Sequence, residues 1–514
     1  MDSIQADALQ VFERVREFVS DSHPITLALI AAAVYTVVRL TYNLALSPIK
    51  HVPGPMAAAS TEYWALSHNM RGNKYLRVHE LFQKYGPVVR TGPNTVTLRN
   101  YRYLQLVYMS KWDKITAYDG FRTNHGVPNS FSAIEQSEAQ GKRRGMLPQY
   151  ATACLVTWQD VFDSHLLEVV KLLRNNPAQN SIDVLGLVAH GLIDVLGEIV
   201  LDTQIGAVAD FAKNTPNPMA RAITMWPKRG TIKGQLHPLV WKAAEKIPVE
   251  GWQHLVQSDA NLANFVAPIV SKARARLAAG DVPSRPSLVH RLSTVTNSMT
   301  GEKWPEADVT SECIDHFLAG TETTSTSSAY IMYTLSNRPD VMAKLQEELD
   351  GIMGLDEVPD IQLLARQPYL NAVLKESLRL FTPALGSLDR IVPAGGIVVD
   401  GVFLPAGTAI GLQSYTTHRD PEVWSDPFEF IPERWLKETP EMKAAYIPFS
   451  IGGRNCPGQN LAWFDLRLFI SVICRNFDVK PAKHTTPASM EPYDLTTVSP
   501  TGGRCDLHFI PRSA

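Results

Sequence analysis

Phe449-Ser450-Ile451-Gly452-Gly453-Arg454-Asn455-Cys456-Pro457-Gly458 is the stretch on which the reading of this chain turns. Glycines at 452, 453 and 458 let backbone approach a flat group closely and permit positive φ. Arg454 offers a fixed fork of donors suited to a carboxylate. From Gln459 through Asn476 the pattern is helical, with Leu461, Phe464, Leu468 and Val472 on one face. Cys456 therefore stands just before a helix N-terminus, a place that favours a thiolate. Taken alone, the stretch also fits a glycine-rich turn around an inert buried cysteine.

Three segments upstream bear on that choice. The first is Ala319-Gly320-Thr321-Glu322-Thr323-Thr324, inside a helix that Pro305 can open and Pro339 must end near Asn337. A glycine in a helix interior costs about 1 kcal/mol relative to alanine, so Gly320 calls for a local reason. Polar side chains here can also be satisfied simply by helix carbonyls. The second is Glu376-Ser377-Leu378-Arg379, in a helix opened by Pro368, where i, i+3 spacing puts acid and base on one face. The third is Phe430-Ile431-Pro432-Glu433-Arg434-Trp435.

Together these segments resemble the cytochrome P450 family. Phe449, Gly452, Arg454, Cys456 and Gly458 match its haem-loop pattern FxxGxRxCxG at all five positions, and Glu376 and Arg379 match its ExxR. The resemblance implies the P450 fold, mainly α with a smaller β portion, and haem b with the Cys456 thiolate as axial ligand to iron. A thiolate ligand pushes electron density onto haem iron and favours O–O cleavage. By the same resemblance Glu322 and Thr323 are the acid–alcohol pair that relays protons, and Glu376, Arg379 and Arg434 form a structural cluster supporting the loop. Arg454, Arg390 and one residue of Lys142-Arg143-Arg144 are implied to bind the propionates. Arg143 is favoured in that triplet, but Ala139 stands where the family has Trp or His, which leaves Arg144 open. Phe121–Glu135, Phe317, Ala384–Leu388 and Val498–Thr501 are implied to line the substrate pocket.

Residues 24–46 carry one charge, Arg39, in an otherwise apolar run. That meets the roughly 20 residues needed to span a bilayer, provided Arg39 snorkels. Residues 1–23 show an amphipathic pattern (Ala8, Val11, Phe12, Val15, Val19) that fits an interfacial helix or a short soluble one. Residues 47–55, with prolines at 48, 53 and 55, read as a stiff hinge, and residues 56–514 as the haem-binding monooxygenase domain. Lys50 and His51 after the span weakly favour a cytosolic body. Trp226, Pro238, Leu239 and Trp241 are a candidate second membrane-contacting patch.

The formal net charge of −2 argues against a nucleic-acid partner. Five cysteines, an odd number at long spacings without a CxxC pair, argue against disulfide, zinc–thiolate and iron–sulfur frameworks. No Walker loop or strand-borne GxGxxG suggests a nucleotide site. The resulting expectation is a single-pass endoplasmic-reticulum membrane enzyme with a cytosolic catalytic domain. It would oxidise a small lipophilic substrate with dioxygen and electrons from NADPH-cytochrome P450 reductase, most like fungal members that tailor natural products. The rival readings are an oxygen-independent isomerase or dehydratase on the same fold, and a non-catalytic haem sensor or carrier.

Overall fold

The computed structural model describes residues 23–298 and 300–513. The amphipathic pattern expected over residues 1–23 lies, His23 apart, outside them. The helices that position the site are α1 (Pro24–Thr41), α2 (Gln136–Met146), α3 (Gln159–Asn175), α4 (Val184–Leu201), α5 (Pro218–Gln235), α6 (Glu250–Ala278), α7 (Glu306–Ser336), α8 (Pro368–Leu380) and α9 (Gln459–Asn476). The strands that matter are β1 (Val88–Gly92), β2 (Thr95–Leu98), β3 (Arg390–Ile391), β4 (Ile397–Val399), β5 (Val402–Leu404) and β6 (Ala409–Leu412). One sheet has the order β1-β2-β6-β3, with β2 and β6 parallel, and β4–β5 is a separate antiparallel hairpin.

The central helix α7 is fixed at both ends by its sequence. Pro305 caps it, Glu306 and Asp308 face its N-terminal dipole, and the next helix opens on Pro339. It packs against α4, α6, α8 and α9, with Ile314, Phe317, Leu318 and Thr321 all buried. Gly320 has its local reason here: a Cβ would come within 2.9 Å of Leu196 on α4. The α4 helix is apolar enough to cross a membrane, at mean hydropathy 2.0, but 72% of it is buried, so it is a core helix.

The segment Ile25–Leu46 is also long and apolar enough to cross a membrane, and no part of its most apolar window is buried. Its end is tied to the body. Buried Arg90 donates to Asn43 O at 2.9 Å, Pro93 O at 2.6 Å and Ser47 Oγ at 3.3 Å, and Asn43 Nδ2 donates to Ser60 O at 2.8 Å. Ile49 and Val52 then enter an apolar cluster with residues of β1, β2, β4, β5 and β6.

On the other side, the 3-10 turn Thr116–Phe121 meets α5 along a seam of glycines. A Cβ on Gly120 would collide with Gly230 O, one on Gly234 with Ala117 O, and one on Gly230 with the Phe121 ring. Two of the residues expected to contact a membrane are absorbed nearby. Trp226 is buried with its ring 5.8 Å from Phe121, and Trp241 is buried 6.0 Å from Trp252. Burial of these large rings in aromatic contacts outweighs exposure, so that patch reduces to Pro238 and Leu239, with the neighbouring Val240.

Candidate active site

The Cys456 loop is shaped by short-range contacts. Cys456 N donates to Phe449 O at 2.9 Å, closing the turn, and the Phe449 ring lies 6.0 Å from Trp463 on α9. Of the three glycines expected to allow positive φ, Gly452 alone adopts it, at +77°. A Cβ there would strike Tyr108 O. Gly458 sits at φ −85° as the N-cap of α9, so its value is proximity: a Cβ would lie 4.0 Å from Cys456 Sγ.

Cys456 is deep in the protein, where burial pushes its thiol up to about 11 against the opposing Gly458 N–H and Arg143. Its own surface is nevertheless open, so it lines an interior cavity. The expected lowering by the helix terminus is thus outweighed by desolvation in the protein alone. Ala319 is likewise open in the middle of buried α7. Asp315, one turn before it, is pushed up to about 7 by burial, offset by Lys114, and contributes to the field at Cys456.

Thr323, partly open on the same face, donates from Oγ1 to Ala319 O at 2.7 Å. Glu322 does not meet it. Its buried carboxyl lies toward Lys228 and the Thr497 hydroxyl, and burial pushes it up to about 8. Among the described residues its Oε2 has no hydrogen-bond partner. Phe317, expected in the pocket, is fully buried with its ring 6.3 Å from Phe265. Two residues along a helix turn about 200°, so Phe317 faces away from Ala319.

A ring of cations borders this cavity. Arg143 is inward and bonds Asn455 twice, through Nη1 to O and Nη2 to Oδ1, both at 2.8 Å, while Arg144 is exposed. Arg390 is buried and donates to Leu388 O and Asp389 O. The Arg454 fork was expected to be free for a carboxylate, but it is spent on protein. It donates to Gln136 Oε1, Ala133 O, Ile134 O and Glu135 O at 2.7–3.0 Å. It therefore stitches the cysteine loop to the segment before α2, and what remains toward an anion is its charge.

Sequence reasoning missed a fourth cation. Lys114 pairs through its backbone with Arg390, donates from Nζ to Phe131 O, and lies 4.1 and 4.2 Å from the Tyr118 and Phe131 ring centres. Burial, with Arg390 and Arg454 nearby, drives its ammonium well below the usual lysine range. No local motif surrounds it, and only the tertiary fold brings it to Arg390. Among the described residues, none of these four cations forms an ion pair with a carboxylate, a gathering that suits a ligand bringing its own carboxylates. A cysteine on one wall and the open Ala319–Thr323 face on another suit a flat, metal-centred macrocycle. The residues therefore fit haem.

Behind the loop, Glu376 accepts from Arg379 Nε and Nη2 at 2.9 and 2.8 Å and from Arg434 Nε at 3.1 Å. It also accepts from Ile431 N at 3.0 Å and Trp435 Nε1 at 2.9 Å, Trp435 being a partner the sequence did not disclose. The connection to the cysteine loop runs through His418. Its Nδ1 lies 3.0 Å from Arg379 O, and its Nε2 accepts from Ile447 N at 2.9 Å, two residues before Phe449. Burial pushes the His418 imidazolium down to about 3, which keeps the ring neutral and able to accept.

Comparison with known proteins agrees with this geometry. The sequence profile described as Cytochrome P450 matches residues 61–503. The chain is 28% identical over 457 residues to benzoate 4-monooxygenase bphA of Aspergillus niger, covering 84% of this chain and 87% of that one. It is 29% identical over 483 residues to cytochrome P450 monooxygenase macH of Penicillium terrestre, covering 89% and 92%. The crystal structure of the cytochrome P450DA heme domain superposes with a TM-score of 0.75 at 18% identity, covering 90% of this chain and 98% of that one. A profile spanning most of the chain, with haem and a cysteine thiolate as the family's shared cofactor arrangement, leaves one reading: this chain belongs to the cytochrome P450 family and is a haem-thiolate monooxygenase.

Proposed function

We propose that the protein oxidises a lipophilic small molecule in natural-product biosynthesis, with electrons from NADPH-cytochrome P450 reductase. In this reading residues 24–46 anchor it in the endoplasmic-reticulum membrane, residues 47–55 join anchor to body, and residues 56–514 work in the cytosol. The observation that carries it is the cavity between Cys456 and the open face of α7, ringed by Lys114, Arg143, Arg390 and Arg454, none of which forms an ion pair with a carboxylate among the described residues.

Bound haem supplies the activation of dioxygen. Cys456 Sγ would hold its iron, and the Gly458 N–H would stabilise the thiolate's charge. Lys114, Arg143 and Arg390 would hold the propionates, and Arg454 fixes the loop while adding charge. Glu322, with a carboxyl near 8, carries a proton at neutral pH and can take one back. Thr323 gives its own proton to Ala319 O, so its lone pairs are free to accept a donor in the cavity. The aromatic rings of Tyr118, Phe121 and Phe131 pack within 5.4–6.2 Å of one another beside it and suit an apolar substrate.

Cys456→Ser abolishes the long-wavelength carbon-monoxide band of the reduced protein, while Ser at 154, 313, 474 or 505 leaves it. A second cysteine whose loss has the same effect overturns the ligand assignment. Substrate-stimulated NADPH consumption with reductase separates this enzyme from a haem carrier. Wild-type turnover under strict anaerobiosis without NADPH is the result that favours an isomerase or dehydratase.

A further inference from the structure

Arg143 faces the cavity and Arg144 faces solvent, although the two are neighbours on α2. Adjacent helix residues point 100° apart, so a roll of α2 about its own axis would turn Arg143 away. Ala139, one turn earlier, is fully buried and has no side-chain donor to share the task. The orientation of this one helix therefore decides whether α2 offers the site a cation.

A stripe on the adjoining face of α2 supplies the hold. Lys142, Met146 and Tyr150 recur at i, i+4 and i+8, the last in the 3-10 turn Leu147–Tyr150 that ends the helix. They meet Asp308, Glu312 and His316, which recur at the same spacing on α7. Lys142 Nζ lies 3.7 Å from Asp308 Oδ1 and 3.9 Å from Glu312 Oε1, with the Trp304 ring centre 5.5 Å away. Met146 Sδ is 2.9 Å from His316 Nε2. Tyr150 OH donates to His316 Nδ1 at 2.8 Å, with the two rings stacked. Burial pushes the His316 imidazolium down to about 3, which leaves Nδ1 able to accept. Tyr150 O in turn accepts from Asn460 Nδ2 at 2.9 Å, in the first turn of α9.

Lys142 is the rung that resists rotation. It is 5% exposed, and a buried ammonium separated from its carboxylates is costly. Burial pushes the Glu312 carboxyl up to about 8 against the pull of Lys142, so the more open Asp308 stands as the counter-charge. A roll of 100° that brought Arg144 inward would take Lys142 off both acids. It would also break the two bonds from Arg143 to Asn455, the residue before Cys456.

We infer that Lys142 is a positioning residue for the haem site: wedged between Asp308 and Glu312, it fixes the roll of α2 so that Arg143, and not Arg144, meets a haem carboxylate. This rests on Arg143 holding a propionate, as proposed above. Lys142 itself touches neither the cavity ligand nor the cysteine loop, and acts through its neighbour.

The test is a double-mutant cycle on the full-length, haem-loaded protein, read by haem transfer to apomyoglobin, with far-ultraviolet melting as the control for folding. Arg143→Ala loses haem about tenfold faster than wild type, the worth of a hydrogen bond to a charged group, and Arg144→Ala loses it at the wild-type rate. Lys142→Met also loses haem faster, and in that background Arg143→Ala adds little, because the arginine has already left its place. A lysine that only stabilises the fold would lower the melting temperature and leave the Arg143→Ala factor whole. Haem loss at the wild-type rate in Lys142→Met overturns the inference, as does the full Arg143→Ala factor in the Lys142→Met background. Should Lys142→Met fail to fold, Asp308→Asn takes its place in the same cycle, with the same expected and refuting results. Wild-type haem retention in Arg143→Ala alone is a different result: it removes Arg143 from the propionate, and the inference falls with that reading.

Discussion

Glu376→Ala removes the acceptor of five hydrogen bonds at once, from two side-chain donors of Arg379, one of Arg434, Ile431 N and Trp435 Nε1. Glu376 and Arg379 are fully buried. Breaking a buried ion pair by removing one partner costs about 3–5 kcal/mol. Two further buried donors left without acceptors cost about 1–3 kcal/mol each. The sum, about 5–11 kcal/mol, is comparable to the whole stability of a typical fold, about 5–15 kcal/mol. Folded, haem-replete protein is therefore expected to be nearly absent. Glu376→Gln keeps one acceptor oxygen and should give reduced yield with a lowered melting temperature. Soluble yield, far-ultraviolet melting and the reduced carbon-monoxide spectrum are the measurements. A Glu376→Ala protein that melts like wild type, keeps its haem and has lost only turnover would refute the supporting role and move Glu376 into the chemistry.

Thr323→Val keeps shape and branching, so haem uptake holds while product per NADPH falls and hydrogen peroxide release rises; unchanged coupling counts against that residue. Glu322 has a folded pKa raised by burial to about 8, so its contribution to stability is present below the unfolded value and is lost as pH rises from about 4.5 through 8. Glu322→Gln should accordingly melt higher than wild type at pH above 8, with the difference vanishing near pH 4.5, and a pH-independent difference would show the carboxyl is not held neutral. Deleting residues 1–41 or 1–46 should release the protein from alkaline-washed membranes. The shorter deletion keeps Asn43 for Arg90 and should be more stable by about 1–3 kcal/mol. Retention in the washed pellet would mean that another segment spans the bilayer.

Much of the frame was legible because it rests on local rules. Proline at 305, 339 and 368 fixes helix boundaries, and Gly92-Pro93-Asn94 fixes the β1–β2 hairpin. Arg143 against Arg144 was not decidable from pattern, since adjacent residues on a helix differ by only 100° and burial chooses between them. The errors are tertiary in origin. Phe317 has the residue type for a pocket, but the phase of α7 turns it into the core. Arg454 has the fork for a carboxylate, but the carbonyls of residues 133–135 arrive first. Lys114, Trp435 and His418 act through partners 17 to 276 positions distant, and nothing in their neighbours announces it.

The glycine seam between the Thr116–Phe121 turn and α5 bears on how such an enzyme can change its diet. Most pocket walls are made of side chains, which point mutations trim or enlarge one methyl group at a time. Here three contacts are backbone carbonyl or ring against Cα, at Gly120, Gly230 and Gly234. At Gly120 and Gly234 the opposing atom is a backbone carbonyl, so there is nothing to trim, and every replacement at the seam adds an atom where none fits. If Tyr118 and Phe121 border the substrate pocket as proposed, substitution at Gly120, Gly230 or Gly234 is closed as a route to new substrate scope, which leaves such change to other walls.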